Sequence, residues 1–261
     1  MEHRNRSFVG ILAVPEDRTP RQSWLFLSPF GQEAIRTAPM YRSLADRLVR
    51  ADCAVLRFDY HGTGDAAGEV ADQSLDDWVD DACHAMELLR STSGVPRITM
   101  FGVGLGATIA ALAAVKRSNG VAALLLWEPV IDGPEYLTAL ISSHKREVAL
   151  GFDMPWPAVR AKFDEPEPEA PGNLVGFEVG AQLATQISHT TSLPLIELAH
   201  RGVRSVIASR QKDSQHGVAS HSMVQFVAIE MATDWMANEA LGTALVPQQL
   251  IALIDQQVQP A

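Results

Sequence analysis

The sequence predicts an α/β protein: a doubly wound, mainly parallel sheet with an inserted helical cap. Three features carry this. Short runs that are apolar throughout, Trp24 to Leu27, Ala54 to Phe58, Ile98 to Phe101 and Val121 to Trp127, alternate with longer helical patterns. Strands covered on both faces read this way, because neither face meets water. Glycines at 102, 104 and 106 punctuate the passage from the apolar run at 98–101 into an alanine-rich helical pattern. Finally, the alternation breaks after Pro129 and resumes at Gly202. This divides the chain into a core, residues 1–132 and 201–261, and a cap, residues 133–200.

Phe8 to Val14 is a short apolar run ended by Pro15, and reads as an edge strand. Glu16 to Gln22 is a polar, proline-bounded turn before the strand at 24–27. The loop Phe30-Gly31-Gln32-Glu33 leads into a helix marked by Met40, Leu44, Leu48 and Val49 at near-helical spacing. The loop from Asp59 to Glu69 carries three glycines. Ser74 reads as the N-cap of a helix whose buried face is Leu75, Trp78, Ala82, Met86 and Leu89, with Cys83 at its margin. The pattern from Leu105 to Arg117 is the next helix. In the cap, Glu165-Pro166-Glu167-Pro168-Glu169 reads as an exposed acidic turn, and His144 and His189 as surface residues. Gly202 to Ser209 and Val224 to Ile229 restore the strand pattern, and Val246 to Val258 makes a final amphipathic helix with Pro247 near its first turn.

At 261 residues the chain is one large α/β domain or two small ones. It is 47% hydrophobic and 20% charged, as soluble globular proteins are. Its net charge is −10, from 21 basic and 31 acidic residues, which disfavours nucleic acid or an anionic membrane as partner. No signal peptide and no apolar stretch of about 18 residues is present, so the cytoplasm and no membrane insertion are expected. Cys53 and Cys83 sit in apolar patterns and read as two buried thiols in a reducing compartment rather than a disulfide. Trp24, Trp78 and Trp127 read as core residues. No spacing of His, Cys and Asp suggests a metal, and the glycines at 102, 104 and 106 lack the final spacing of a nucleotide loop. No cofactor is expected; a small-molecule substrate is.

Strand, sharp turn and helix around Gly102 to Gly106 is the context of a nucleophile elbow, G-x-S-x-G, in which a serine is held at the tip of a strained turn. Ser28-Pro29-Phe30-Gly31-Gln32-Glu33 and Leu56-Arg57-Phe58-Asp59-Tyr60-His61-Gly62-Thr63-Gly64-Asp65 precede it, and Leu126-Trp127-Glu128-Pro129-Val130 follows. On these stretches the chain resembles the α/β-hydrolase fold. More closely it resembles the serine-aminopeptidase-like hydrolases, and within them it is similar to the bacterial exosortase A system-associated hydrolases. The first stretch stands where that group has Pro-Phe-x-Glu-Glu. The second is similar to its Arg-x-Asp-x-x-Gly-x-Gly-Asp-Ser loop, with Ala66 in place of the serine. The elbow serine is Gly104 here, a departure found elsewhere in that group.

A hydrolase of this fold needs nucleophile, acid and base in chain order Ser, Asp or Glu, His. Gly104 cannot be a nucleophile, and losing a triad serine costs about a million-fold in turnover. The resemblance implies an acid after the strand 204–209, where Asp213 lies; a solvated loop aspartate is the alternative. It implies a base after the strand 224–229, yet no histidine follows His221, and His216 and His221 both precede that strand.

Backbone donors of an oxyanion hole survive the loss of a side chain. They would be the N–H of Leu105 and one from Phe30-Gly31, so Phe30, Gly31, Gly104 and Leu105 are the expected substrate-binding residues. The helix from Leu105 adds its positive end. An enolate could be held there, which points to a lyase needing a base and no nucleophile. Candidate bases are Glu33, His61 and Glu128, each in a loop at a strand's C-terminal end. Each has a structural alternative: Glu33 capping a helix or pairing with Arg36, His61 building its turn, Glu128 as a buried or rim carboxylate. Three functions follow: an acyl- or ester-directed enzyme without a serine nucleophile, a non-catalytic binding or scaffold protein, and a hydrolase with relocated residues.

Overall fold

The computed structural model describes residues 2–3, 6–69, 72–210, 221–230 and 246–258. Its elements in chain order are β1 (Glu2–His3), β2 (Arg6–Ser7), β3 (Val9–Ala13), β4 (Gln22–Leu27), α1 (Gln32–Arg50), β5 (Cys53–Asp59), α2 (Leu75–Ser93), β6 (Ile98–Val103), α3 (Leu105–Lys116) and β7 (Val121–Trp127). There follow α4 (Gly133–Gly151), α5 (Trp156–Phe163), β8 (Gly172–Leu174), β9 (Phe177–Val179), α6 (Ala181–Ser188) and α7 (Leu195–His200), then β10 (Arg204–Ser209), β11 (Val224–Ala228) and α8 (Gln248–Val258).

Seven strands form one sheet in the order β11-β10-β7-β6-β4-β5-β3, parallel except for the antiparallel edge strand β3. The apolar runs occupy its centre because both faces are covered. On β4, Trp24 and Phe26 pack with Met40, Leu44 and Leu48 of α1 and Leu250 and Leu253 of α8. Leu25 and Leu27 turn to the other face, against α2 and α3. The period-2 alternation of a strand thus feeds two separate cores.

The chain runs from β4 to β5 and then crosses back over β4 to β6. The helices after β4 and β6 therefore leave from adjacent strand ends toward opposite faces, and a crevice opens between them. Ligands of doubly wound sheets bind at such a switch point. Its walls are close-packed: a Cβ on Gly106 would lie 2.3 Å from the Leu27 carbonyl oxygen, and one on Gly102 2.5 Å from the Gly106 backbone. Only glycine admits so near an approach of helix and strand.

Helix α2 begins as expected, the Ser74 hydroxyl accepting the Asp77 N–H, and it ends at Gly94 with φ 72°. The chain between β7 and β10 forms four helices and the antiparallel β8–β9 hairpin. One reading of this region changes. The acidic proline turn is exposed as expected, and within it Glu167 joins Lys145 of α4 to Arg160 and Trp156 of α5. His144 is half-buried rather than on the surface, since its Nδ1 accepts the Val175 N–H at 3.0 Å from the turn of the hairpin. Among the described residues no helix is long and apolar enough to cross a membrane.

Candidate functional site

Two helices start at the switch point, each from a glycine in a conformation that side-chain-bearing residues rarely adopt. Gly31, ahead of α1, has φ 63° and ψ −131°; Gly104, ahead of α3, has φ 55° and ψ −127°. Gly104 is pinned by its N–H, which donates to the Trp127 carbonyl at 2.9 Å, and by its own carbonyl, which accepts from Ala107 at 3.1 Å. Leu105 is the first residue of α3, so its N–H has no partner inside the helix. The helix's positive end adds to that donor.

The seat above Gly104 is filled. Glu33 lies in the first turn of α1, and its Oε2 stands 2.6 Å from where a Cβ on Gly104 would be. The Pro29 Cβ closes the same space at 3.6 Å. A carboxylate therefore occupies the place a serine side chain would take. Its charge reaches two tyrosines. Tyr41 lies buried beneath the turn, its hydroxyl donating to the Leu27 carbonyl at 2.7 Å. Burial pushes the Tyr41 pKa well above the ordinary value, a backbone hydrogen bond from Val103 opposes this, and the Glu33 charge adds to it. Tyr136, on α4, is raised in the same way, by burial first and then by Glu33.

Beside the seat opens a cavity of about 500 Å³, lined by the Phe30-Gly31 loop, Leu105 and Ile109 of α3, Tyr60 and Trp78, and Phe177 of the β8–β9 hairpin. Four aromatic rings stand in its walls: Tyr60 stacks on Trp78 at 5.4 Å, and Phe30 meets Trp78 and Phe177 at 6.0 and 6.3 Å between ring centres. Asp59, Thr63, Gln73 and Glu178 supply its polar atoms. An apolar pocket with a few convergent polar groups is the usual form of a small-molecule site.

The structure thus brings together Phe30, Gly31, Glu33, Gly104 and Leu105. Of these, Phe30, Gly31 and Leu105 line the cavity, whereas Glu33 and Gly104 stand beside it; His61 and Glu128 are in neither place. The His61 ring lies against Gly68, whose added Cβ would meet Nε2 at 2.5 Å. The His61 N–H donates to Asp81 Oδ2, and its carbonyl accepts the Trp78 indole N–H, both at 3.0 Å. Glu128, at φ 47°, clasps the end of β10: Oε1 accepts from the Arg210 amide at 2.6 Å and from its Nε at 3.2 Å, and Oε2 from the Ser209 hydroxyl at 3.2 Å. Asp213 and His216 lie outside the described residues. Among the described residues no cluster of three or more His, Cys, Asp or Glu could hold a metal.

Sequence reasoning missed Tyr60 and Phe177, and took Trp78 for core alone. Trp78 is both buried and cavity-lining. Tyr60, between Asp59 and His61 in a glycine-rich loop, carried a readable signal. Phe177 carried none, because its place depends on how the chain between β7 and β10 docks.

Sheet order, switch-point crevice and glycine-flanked turn together define an α/β hydrolase fold. The family model described as Serine aminopeptidase, S33 matches residues 34–168, and the chain belongs to that family. No curated protein matches it. Solved structures do. A carboxylesterase of the thaumarchaeon Nitrososphaera gargenis is similar at a TM-score of 0.62 and 13% identity, over 99% of this chain and 97% of that one. Est1E from Butyrivibrio proteoclasticus, with ferulic acid bound, gives 0.59 and 14% over 98% and 94%. A probable hydrolytic enzyme of Pseudomonas aeruginosa gives 0.60 and 12% over 100% and 93%. At these identities the likeness is one of fold.

Proposed function

We propose that this protein acts on a small acyl- or ester-type molecule without a serine nucleophile, and that its reaction is an elimination. The observation that carries this is the Glu33 carboxylate, 2.6 Å from the missing Cβ of Gly104. A carboxylate at that point is a base where the family's hydrolases need a nucleophile. Glu33 would take the proton from the carbon next to the substrate carbonyl. The carbonyl oxygen would become an enolate oxygen, held by the N–H groups of Leu105 and the Phe30-Gly31 loop. The electron pair would then return to form a carbon–carbon double bond and expel a carboxylate or alkoxide from the β carbon. The segment 133–200 would be the cap over this site. The reading fits a reducing compartment such as the cytoplasm, where Cys53 and Cys83 would remain free thiols, as they are here.

The direct test is conversion of 4-acetoxybutan-2-one to but-3-en-2-one and acetate. Wild type should turn it over, and Glu33→Gln should be at least about a hundredfold slower, since general base catalysis contributes that much or more. Equal rates in the two proteins would end the proposal.

A second reading, a non-catalytic binding protein, draws support from Glu128 and His61. The Glu128 carboxylate is engaged by Ser209 and Arg210, and the His61 ring lies against Gly68. Tight binding of the same ester with no conversion would favour it.

A further inference from the structure

The inference here rests on the reading of the aromatic cavity as the small-molecule site, and it names what that cavity takes. The residues that line it spend their side-chain donors on the protein itself. The Thr63 hydroxyl donates to the Tyr60 carbonyl at 2.8 Å, and the Tyr60 hydroxyl to the Ser28 carbonyl at 3.3 Å. The Trp78 indole N–H donates to the His61 carbonyl at 3.0 Å, and Gln73 Nε2 to the Gly62 carbonyl at 2.9 Å. Ser28, whose hydroxyl can donate or accept, is the exception.

Acceptors remain. Asp59 Oδ2 takes the Asp65 N–H at 3.1 Å, which leaves Oδ1 without a hydrogen-bond partner among the described residues. Glu178 adds a second carboxylate to the lining, and among the described residues no Lys, Arg or His joins it. An anionic ligand would therefore meet like charge and no counter-charge.

Gln73 is the informative acceptor. Its side chain lines the cavity and is only 5% exposed. Its bond to the Gly62 carbonyl requires the amide nitrogen there, so Oε1 is the atom left over. That oxygen is buried and meets no hydrogen-bond partner. Buried polar side-chain atoms almost always have one. The rings of Phe30, Tyr60, Trp78 and Phe177 stand in the same walls and suit a flat aromatic guest.

We propose that this cavity takes an ester carrying a neutral hydroxylated aromatic ring, and that Gln73 Oε1 accepts the hydrogen bond of that hydroxyl. The ester carbonyl goes to the main-chain N–H of Leu105, which lines the same cavity. A hydroxyl is chosen over an ammonium because the Gln73 oxygen is neutral and buried. Such a group satisfies an O–H, but gives a cation little in exchange for its hydration.

The test is calorimetric binding at neutral pH of two esters that differ in one donor, ethyl 4-hydroxycinnamate and ethyl 4-methoxycinnamate. Wild type should bind the hydroxy ester at least about tenfold more tightly, since a site built to pair a hydroxyl discriminates against the analogue lacking it. Gln73→Met should lose that preference. Gln73→Glu, which keeps an acceptor and gives up the donor to Gly62, should retain it. Equal affinities in wild type would overturn the proposal, as would a preference that survives in Gln73→Met. A preference lost alike in Gln73→Met and Gln73→Glu would make the Gly62 bond the whole role of Gln73 and also overturn it. Tighter binding of ethyl 4-(aminomethyl)cinnamate than of the hydroxy ester would put a cation in the hydroxyl's place. Elimination of 4-acetoxybutan-2-one without any preference between the esters would keep the base reading of Glu33 and remove this one. The preference without elimination would do the reverse.

Discussion

Gly31 and Gly104 share one backbone conformation, φ 63°, ψ −131° and φ 55°, ψ −127°, at the ends of neighbouring strands. Strain at the two should therefore be alike, on the order of 1–3 kcal/mol for any residue with a side chain. Their surroundings differ. A Cβ on Gly31 would meet the Phe177 ring at 3.5 Å, an ordinary contact, while one on Gly104 would meet Glu33 Oε2 at 2.6 Å. Gly104→Ala should accordingly destabilise more than Gly31→Ala in urea denaturation. Placing both in a Glu33→Ala background should bring the two costs together. Equal costs with Glu33 present would mean that the carboxylate yields its seat freely.

The clasp between Glu128 and the end of β10 should be stabilising in itself. Glu128→Ala removes the acceptor of the Arg210 amide, of its guanidinium and of the Ser209 hydroxyl. The expected loss is about 1–3 kcal/mol, toward the lower end because the Glu128–Arg210 pair is partly exposed. Glu128→Gly loses the same bonds but relieves φ 47°, and should be less destabilised than Glu128→Ala. The reverse order in thermal melts would show that the backbone, not the carboxylate, holds this turn.

Much of the core could be read from the chain because its signals are local. Val121 to Trp127 is apolar at every position and is a strand with those bounds. Ser74 and Gly94 bracket α2 through cap chemistry written in single residues. The turn at Gly104 was legible because glycines at 102, 104 and 106 answer to three separate steric demands. The site was legible only in part. Glu33 could be named as a candidate, but its position over Gly104 depends on the exit angle of α1, which no local pattern encodes. Glu128 looked equally eligible until Arg210, 82 residues later, proved to be its partner. Phe177 lies in a hairpin of three-residue strands, where periodicity is too brief to speak.

Alkaline conditions should destabilise the fold through its buried thiols first. Burial pushes Cys53 and Cys83 from the ordinary 9.0 up to about 11. Between those values the unfolded chain has lost protons that the folded one keeps, so stability present below pH 9 is lost as pH rises toward 11. Each cysteine accounts for roughly 2–3 kcal/mol over that window. Tyr41, Tyr60 and Tyr136, also raised by burial, continue the decline above pH 10. Urea midpoints measured from pH 8 to 10 should fall less steeply in a Cys53→Ala/Cys83→Ala variant than in wild type. Parallel slopes would assign the loss to other groups.

Trp78 makes the cavity observable in solution. It stacks on Tyr60 and meets Phe30, and its indole N–H is fixed by the His61 carbonyl at 3.0 Å. An apolar guest in the cavity must lie near that ring, so a neutral ester such as ethyl cinnamate should change the tryptophan emission on titration. Trp78→Phe should remove most of the change, because Trp78 is the one tryptophan among the described residues that lines the cavity. Phe177 lies over Gly31 and against Phe30, and closes the cavity from the hairpin side. Phe177→Ala should weaken the ester about tenfold, equivalent to about 1.4 kcal/mol of lost contact. Thermal stability should change less than for an internal core residue, since Phe177 is only half-buried. An ester that binds without altering the emission, or binds Phe177→Ala as tightly as wild type, would place it outside this cavity.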